Sequence, residues 1–321
     1  MTLHRLIAAT GVAIALLAPT AHAQYPDRPI RILIPFTPGG GTDILARILG
    51  QKFTEAWGQQ IVADNRPGGN GIIAAELTAK ANPDGHTLLM VAIGHAINPS
   101  LQKSLPYDTI RDFTPISLTA VLPLMVAVHP TSKATTMREF IALARNSPKP
   151  LTYASGGVGS SQHLAAELLN HLAKTRMMHV PYKGGNQGLL DLVAGQIDVM
   201  ASTILTVAPH AKSGRLRALA MTTAKRNPAW PELPTVAEAG VKGYESIAWY
   251  GLVAPANLPP AVLQKISAEA MKAVRAPDVQ DALTKQGAEP VGSTPAQFAS
   301  LIRTEMTKYA QVVKQAGVSA E

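Results

Sequence analysis

The chain has 321 residues, 29 Lys+Arg against 21 Asp+Glu, and no cysteine. The missing cysteines exclude a disulfide framework, a thiolate-ligated metal or Fe–S site, a cysteine nucleophile and a lipid-modified N-terminal cysteine. Only 16% of residues are charged and 5% aromatic while 46% are hydrophobic, so the chain is too apolar for disorder and its core is expected to be aliphatic.

The first segment reads as an export signal. His4 and Arg5 precede an apolar run from Leu6 to Ala18, and Ala21-His22-Ala23 is an A-x-A cleavage pattern. The run is shorter than the roughly 20 residues a membrane span needs. Cleavage after Ala23 is expected, removing Arg5 and leaving 28 basic against 21 acidic residues, a mature net charge of +7. A periplasmic location follows as an expectation. The positive excess contains no Lys/Arg cluster of the kind that binds phosphates, so nucleic acid is not an expected partner.

After the signal, short apolar runs alternate with helical spacing. Arg31 to Phe36 reads as a strand and Thr42 to Ala56 as a helix, with Ile44, Leu45, Ile48, Leu49 and Phe53 on one face. Strands follow at Ile61 to Ala63 and Thr87 to Ala92, with a glycine-initiated helix from about Ile72 to Lys80 between them. This is the pattern of a parallel sheet covered on both faces.

The pattern restarts after a hinge-like strand, Pro123 to Val128. Thr136 and Glu139 form a capping box ahead of a helix to Asn146. Strands are expected at Leu151 to Ala154, Met178 to Val180, Ile197 to Met200 and Leu216 to Met221. Helices are expected at Ser160 to Leu172 and Gly188 to Ala194. The chain returns through Ile247 to Ala254 and ends in helices, Pro260 to Val274 and one opened by Thr294-Pro295 and ended by Gly317. The last carries an apolar stripe from Phe298 through Leu301, Ile302, Met306 and Tyr309 to Val313. The reading is an α/β protein of two lobes joined by two hinge crossings: residues 24–126 and 252–321 in the first lobe, 127–251 in the second. The strand count would make an unusually large single sheet.

Two glycine-rich strand-to-helix turns occupy corresponding places in the lobes. The first is Phe36-Thr37-Pro38-Gly39-Gly40-Gly41-Thr42-Asp43, and the second runs from Ser155 and Gly156 through Gly159 to Ser160 and Ser161. Such turns leave backbone N–H groups at a helix start, where the helix dipole adds roughly half a positive charge, so together they suit an anion without any charged side chain. Ligands of open α/β sheets bind at the carboxyl ends of strands, where both turns lie.

Other chemistries fit less well. A P-loop lacks its lysine here, and the dinucleotide fingerprint fails because Ile44 stands at its sixth position, although Asp64 sits where a ribose acid would. No G-x-S-x-G elbow is present, and Ser160, Ser161 and His163 would point different ways from one helical turn. His163, Glu167 and His171 are spaced i, i+4, i+8 but span three turns, so no metal is expected. Asp43 reads as a helix-dipole partner or as a partner for a ligand ammonium. His95, after a strand end, reads as a loop histidine or a cleft residue. Lys183-Gly184-Gly185 follows another strand end, its backbone placed to line the cleft. Trp249 and Tyr250 read first as core aromatics.

These residues resemble the extracytoplasmic solute receptors of tripartite tricarboxylate transporters, the Bug-type proteins. The likeness is carried in order by PFTPGGGTDILAR (Pro35 to Arg47), DNRPGGNG (Asp64 to Gly71), LPYD (Leu105 to Asp108), YASGGVGSSQHLAAE (Tyr153 to Glu167) and VPYKGG (Val180 to Gly185). GRLRALA (Gly214 to Ala220), LPTVAEAG (Leu233 to Gly240) and WYGLVAP (Trp249 to Pro255) complete it. The resemblance implies a type II periplasmic-binding-protein, or Venus-flytrap, fold that grips a small carboxylate between its lobes. It points to Phe36 to Asp43 and Ser155 to Ser161, with His163 beside them, as the site. In relatives the first turn often reads P-[AF]-A-x-G-G-P, so Thr37 and Pro38 are a departure that bears on which ligand fits.

The expected protein is therefore a periplasmic, monomeric solute receptor with no cofactor and no catalytic residues. The expected ligand-binding set is Phe36, Thr37, Gly40, Gly41, Thr42, Asp43, His95, Ser155, Gly156, Gly159, Ser160, Ser161, His163 and Gly185. Its partners would be a small organic carboxylate and the membrane permease subunits of a tripartite tricarboxylate-type transporter, or a sensor kinase. The alternatives are an exported hydrolase or transferase using Ser160 or Ser161 with His163, and a purely sensory carboxylate receptor.

Overall fold

The computed structural model describes residues 25–316. The export signal, its cleavage after Ala23 and the helix-ending Gly317 lie outside the described residues. Among the described residues, no helix is long and apolar enough to cross a membrane.

The first sheet is built on β1 (Ile30–Ile34), flanked in parallel by β2 (Ile61–Asn65) and β3 (Thr87–Ala92). Ile30, Ile32, Leu33 and Ile34 are fully buried, as a continuous apolar run must be when helices cover both faces. The helices are α1 (Gly41–Trp57) and α2 (Ile72–Ala79), the latter entered through a short 3₁₀ turn at Gly69–Gly71, followed by α3 (Gly94–Leu101).

The centre of the molecule is β4 (Phe113–Val128), a strand of 16 residues that serves both sheets. From Phe113 to Pro123 it pairs antiparallel with β9 (Ile247–Pro255), which pairs in turn with β3. From Leu124 to Val128 it pairs with β7 (Val199–Thr203) on one side and β8 (Arg217–Met221) on the other. The second sheet continues from β7 to β5 (Thr152–Ser155) and β6 (Met178–Pro181), all parallel. Around it lie α4 (Met137–Asn146), α5 (Ser161–Ala173), α6 (Gly185–Val193) and α7 (Ile204–Lys212). The capping box of α4 is present: Glu139 N–H donates to Thr136 Oγ1 at 3.2 Å, and Thr136 N–H donates to the Glu139 carboxylate at 3.2 Å.

The two crossings between the sheets are clipped together by one buried hydroxyl. Thr222 Oγ1 donates to the Ser246 carbonyl at 2.6 Å and accepts from Leu124 N–H at 3.0 Å. After β9 the chain adds α8 (Pro260–Arg275), α9 (Pro277–Thr284), β10 (Glu289–Pro290) and α10 (Pro295–Ala316). All return to the first sheet: β10 pairs with β4 at Ala120 and Val121, and α10 packs on α3 and β4. The expected two-lobed α/β architecture with two crossings is the one observed.

Proline accounts for most of what sequence reading missed. The first half of β4 is interrupted by Pro115 and ends at Pro123, and its pairing with β9 is irregular next to Pro115, where the ladder lacks a donor. Both α3 and α7 contain a proline, Pro99 and Pro209, which argues locally against a helix. Helix α6 starts at Gly185 rather than Gly188, because Asn186 and Gln187 carry no apolar periodicity.

The docking of α10 rests on a close approach. Phe298 is fully buried, and a Cβ on Gly251 of β9 would lie 2.1 Å from its ring. Trp249 completes this contact, edge-on to Phe298, with its indole N–H bonded to Glu305 at 3.1 Å. Phe298→Ala is expected to lower stability by about 3–5 kcal/mol through the cavity it leaves, and Gly251→Ala to lower it by overpacking. In the double variant the new methyl group occupies vacated space, so guanidinium unfolding should show a combined loss smaller than the sum of the single losses. Strict additivity would mean that the two residues do not share this packing.

Candidate functional site

Between the sheets lies a cavity open to solvent, about 440 Å³ when its open mouth is counted. Five helix starts border it: Gly40, Gly41 and Thr42 at α1, Ile93 and Gly94 at α3, Ser160, Ser161 and Gln162 at α5, Gly185 and Asn186 at α6, and Ser202, Thr203 and Thr206 at α7. Phe36, Asn70, Ala92, Gly156 and Tyr250 complete the wall. No Asp, Glu, Lys, Arg or His lines it. The first intrahelical bond of α1 runs from Ile44 N–H to the Gly40 carbonyl, and that of α5 from Leu164 N–H to the Ser160 carbonyl, both at 3.0 Å. The N–H groups ahead of them at Gly41, Thr42, Ser161 and Gln162 have no helical acceptor. The positive ends of five helix dipoles thus meet in one space whose only side-chain polarity is hydroxyl and amide.

The lobes touch around this cavity. Asn186 Nδ2 donates to the Pro38 carbonyl at 3.1 Å, joining α6 to the first turn. A Cβ on Gly41 would lie 3.0 Å from the Tyr250 hydroxyl and 3.1 Å from Thr203 Oγ1. A Cβ on Gly159 would lie 2.3 Å from Leu101 of α3.

Eight of the expected residues line the cavity: Phe36, Gly40, Gly41, Thr42, Gly156, Ser160, Ser161 and Gly185. The others stand behind it and shape it. Asp43 Oδ2 accepts from Gly39 N–H and Arg47 Nε, and its Oδ1 from Arg47 Nη2 and Asn65 Nδ2, each at 3.0 Å. Burial pulls its pKa up, but the hydrogen bonds from Arg47, Gly39 and Asn65 outweigh burial and hold it below the usual carboxylate range. With both oxygens engaged, Asp43 clamps the first turn, and its place in the first turn of α1 also sets it at the helix dipole as expected. Gly39 adopts φ +83°, which turns its N–H onto that carboxylate. Thr37 lies against Gly184, where a Cβ would be 2.3 Å from its Oγ1.

The second turn has a clamp of imidazoles. Ser155 is fully buried, its Oγ 2.6 Å from His179 Nε2 and accepting from Gly157 N–H at 3.1 Å. His179 stacks on His163 at 4.2 Å between ring centroids and on Tyr153 at 4.9 Å. His163 Nδ1 accepts from Gly159 N–H at 3.1 Å, and His163 N–H donates to the Ser160 cap oxygen at 3.3 Å. Ser160 and His163 therefore form a helix cap rather than a nucleophile–base pair. His95 is buried outside this cavity, stacked 6.1 Å from Tyr107 and edge-on to Phe113 at 4.9 Å. Among the described residues no group of acidic or histidine side chains is arranged to hold a metal.

Asn70, Gln162, Asn186, Ser202, Thr203 and Thr206 were not legible as site residues. Ala201-Ser202-Thr203 has no glycine signature, and Gln162 and Asn186 gain meaning only as first-turn residues of helices that face the cavity. Capping patterns at α5 and α6 were the available signal.

Burial pushes the pKa of both His163 and His179 down to about 4, and their mutual repulsion adds to the shift of His179. Their folded values lie below the unfolded value of about 6.5. Their contribution to stability is complete above that pH and is lost as pH falls toward about 4. The melting temperature is expected to drop through this window, and less so in His179→Phe; an equal drop in the variant would remove the imidazole stack as the cause.

The model of the tripartite tricarboxylate transporter family receptor matches residues 45–318. BugT of Bordetella pertussis is 33% identical over 99% of this chain and 99% of its own. Among solved structures, an R. palustris protein with adipate shares 34% identity at a TM-score of 0.89, covering 92% of this chain and 99% of that one. MatC from Rhodopseudomonas palustris with bound malate shares 32% identity at a TM-score of 0.83, covering 90% and 100%. The match along nearly the whole chain, with the same fold, establishes that this protein belongs to the tripartite tricarboxylate transporter family of receptors, the periplasmic solute-binding proteins that include the Bug proteins.

Proposed function

We propose that the protein captures a small organic carboxylate in the interlobe cavity and delivers it to the permease subunits of a tripartite tricarboxylate-type transporter, without chemistry on the ligand. The observation that carries this reading is the convergence of five helix starts on a cavity with no charged side chain. Backbone dipoles attract a carboxylate, and a lysine or arginine clamp is not needed. The adipate and malate complexes of the two relatives support the ligand class. In this reading the lobes divide where the strand pairing changes, after Pro123 and before Ile247, a few residues from the expected bounds at 126/127 and 251/252. Flexion is concentrated where β4 exchanges partners after Pro123 and at the Thr222 clip. Closing the lobes brings Asn186 onto Pro38 and excludes water from the carboxylate.

A ligand that binds only the folded state raises stability by about 2.7 kcal/mol at a hundredfold excess over its Kd. Thermal-shift screening against mono- and dicarboxylates is expected to give saturable shifts with the ligand recovered unchanged. Turnover of a hit would replace the receptor by an enzyme. Gly41→Val places a branched side chain against Tyr250 and Thr203, so affinity is expected to fall at least about tenfold with little change in the unliganded melting temperature. Full affinity in that variant would contradict the site.

A further inference from the structure

A second, smaller chamber adjoins the carboxylate cavity, with room for about one water-sized group. The two share Phe36, Asn70, Ala92 and Gly94 as a common wall. Three of its polar atoms have no well-formed hydrogen bond within the protein: Asn70 Oδ1, His95 Nε2 and the Tyr107 hydroxyl, which lies beside the Asn98 amide. All three residues are at least nine-tenths buried, at 9%, 5% and 7% exposure. Buried polar groups are normally paired, so three orphans on one chamber mark a place for a hydrogen-bonding guest.

Asn70 is held there by built features. Its backbone is left-handed, φ 50° and ψ 40°, and a Cβ at Gly94 would lie 2.5 Å from its amide. Its Nδ2 donates to Asn98 Oδ1 at 3.1 Å, while Asn98 Nδ2 donates to the Asn70 carbonyl at 3.2 Å. That reciprocal pair fixes both amides, because exchanging oxygen and nitrogen in either would set oxygen against oxygen. The open atom of Asn70 is therefore an acceptor. The guest must bring an O–H or N–H, which a second carboxylate does not have. Lys, Arg, Asp and Glu are absent from the chamber lining.

We propose that Asn70, His95 and Tyr107 form a specificity subsite that receives a neutral hydrogen-bond donor on the ligand, so that the preferred ligands are carboxylates bearing a hydroxyl or carboxamide at the far end from the group held by the helix starts. This deepens the reading above and rests on it. The carboxylate binds by dipoles in the main cavity, and the donor reaches past Phe36 to Asn70 Oδ1, with Tyr107 and His95 supplying the partner atoms around it. Burial of His95 lowers its pKa to about 4, which keeps the ring neutral at periplasmic pH.

The test is calorimetric titration with matched pairs of three to six carbons: straight-chain carboxylates, their ω-hydroxy counterparts, and succinate against succinamate. At least one donor-bearing member is expected to bind about tenfold more tightly than its plain partner, the worth of one well-placed hydrogen bond. Tyr107→Phe keeps the ring packed on His95 and Phe113, and by removing one of the partner atoms around the donor it should cut that preference to about threefold or less while leaving the plain acid within about twofold. A melting temperature near that of the unsubstituted protein certifies its fold, and Asn98→Asp, which perturbs the amide pair from behind, supplies an independent variant with the same expected loss of preference. Binding of plain acids without any preference for donors would overturn the subsite and leave the carboxylate receptor standing, the chamber then holding only structural water. Equal weakening of both members of each pair in Tyr107→Phe would likewise overturn it. Absence of binding by every carboxylate would overturn the receptor reading, and the subsite with it.

Discussion

Backbone N–H groups at a helix start have no acceptor within their own helix, and in this molecule five such starts are turned toward one space. Each alone is a minor electrostatic feature. Together they concentrate positive potential in one space between the sheets. The absence of charged side chains from the wall follows from the same geometry: a lysine would compete with the dipoles for the anion and carry its own desolvation cost, and an acid would satisfy them permanently. The nearest acid, Asp43, has both oxygens consumed by Gly39, Arg47 and Asn65, so it braces the turn without neutralising the cavity.

The convergence depends on β4. A single strand that changes partners between Pro123 and Leu124 sets the two sheets edge to edge, so that the carboxyl ends of β1, β3, β5, β6 and β7 approach one another with their following helices. The Thr222 hydroxyl ties the second crossing to the first, and the C-terminal helices fasten the outgoing chain to the first sheet through Phe298 on Gly251.

Much of this was legible from the residues. Alternating apolar runs announced the α/β class, the Thr136–Glu139 box announced α4, and the two glycine-rich turns located two of the five helix starts. The rest escaped for physical reasons. Pro99, Pro115 and Pro209 sit inside regular elements whose tertiary contacts outweigh the lost donors. Ser202 and Thr203 border the cavity without any special backbone requirement that would mark them. Ser155 was expected to face the ligand and His163 either to face the cleft or to cap the turn; side chains beside a turn can fold back to clamp it, and here each satisfies the backbone or a buried ring. The sequence picked out loops that border the cavity and left open which of their residues line it and which support it.

The central claim is that backbone amides, not side-chain cations, hold the ligand's carboxylate. Amide-resolved NMR during titration with the carboxylate that gives the largest thermal shift tests it directly. The account predicts saturable downfield displacement of the N–H signals of Gly41, Thr42, Ser161, Gln162, Gly185 and Asn186, with one common Kd. Perturbations confined to lysine and arginine groups on the outer surface, with those amides unmoved at saturation, would contradict it.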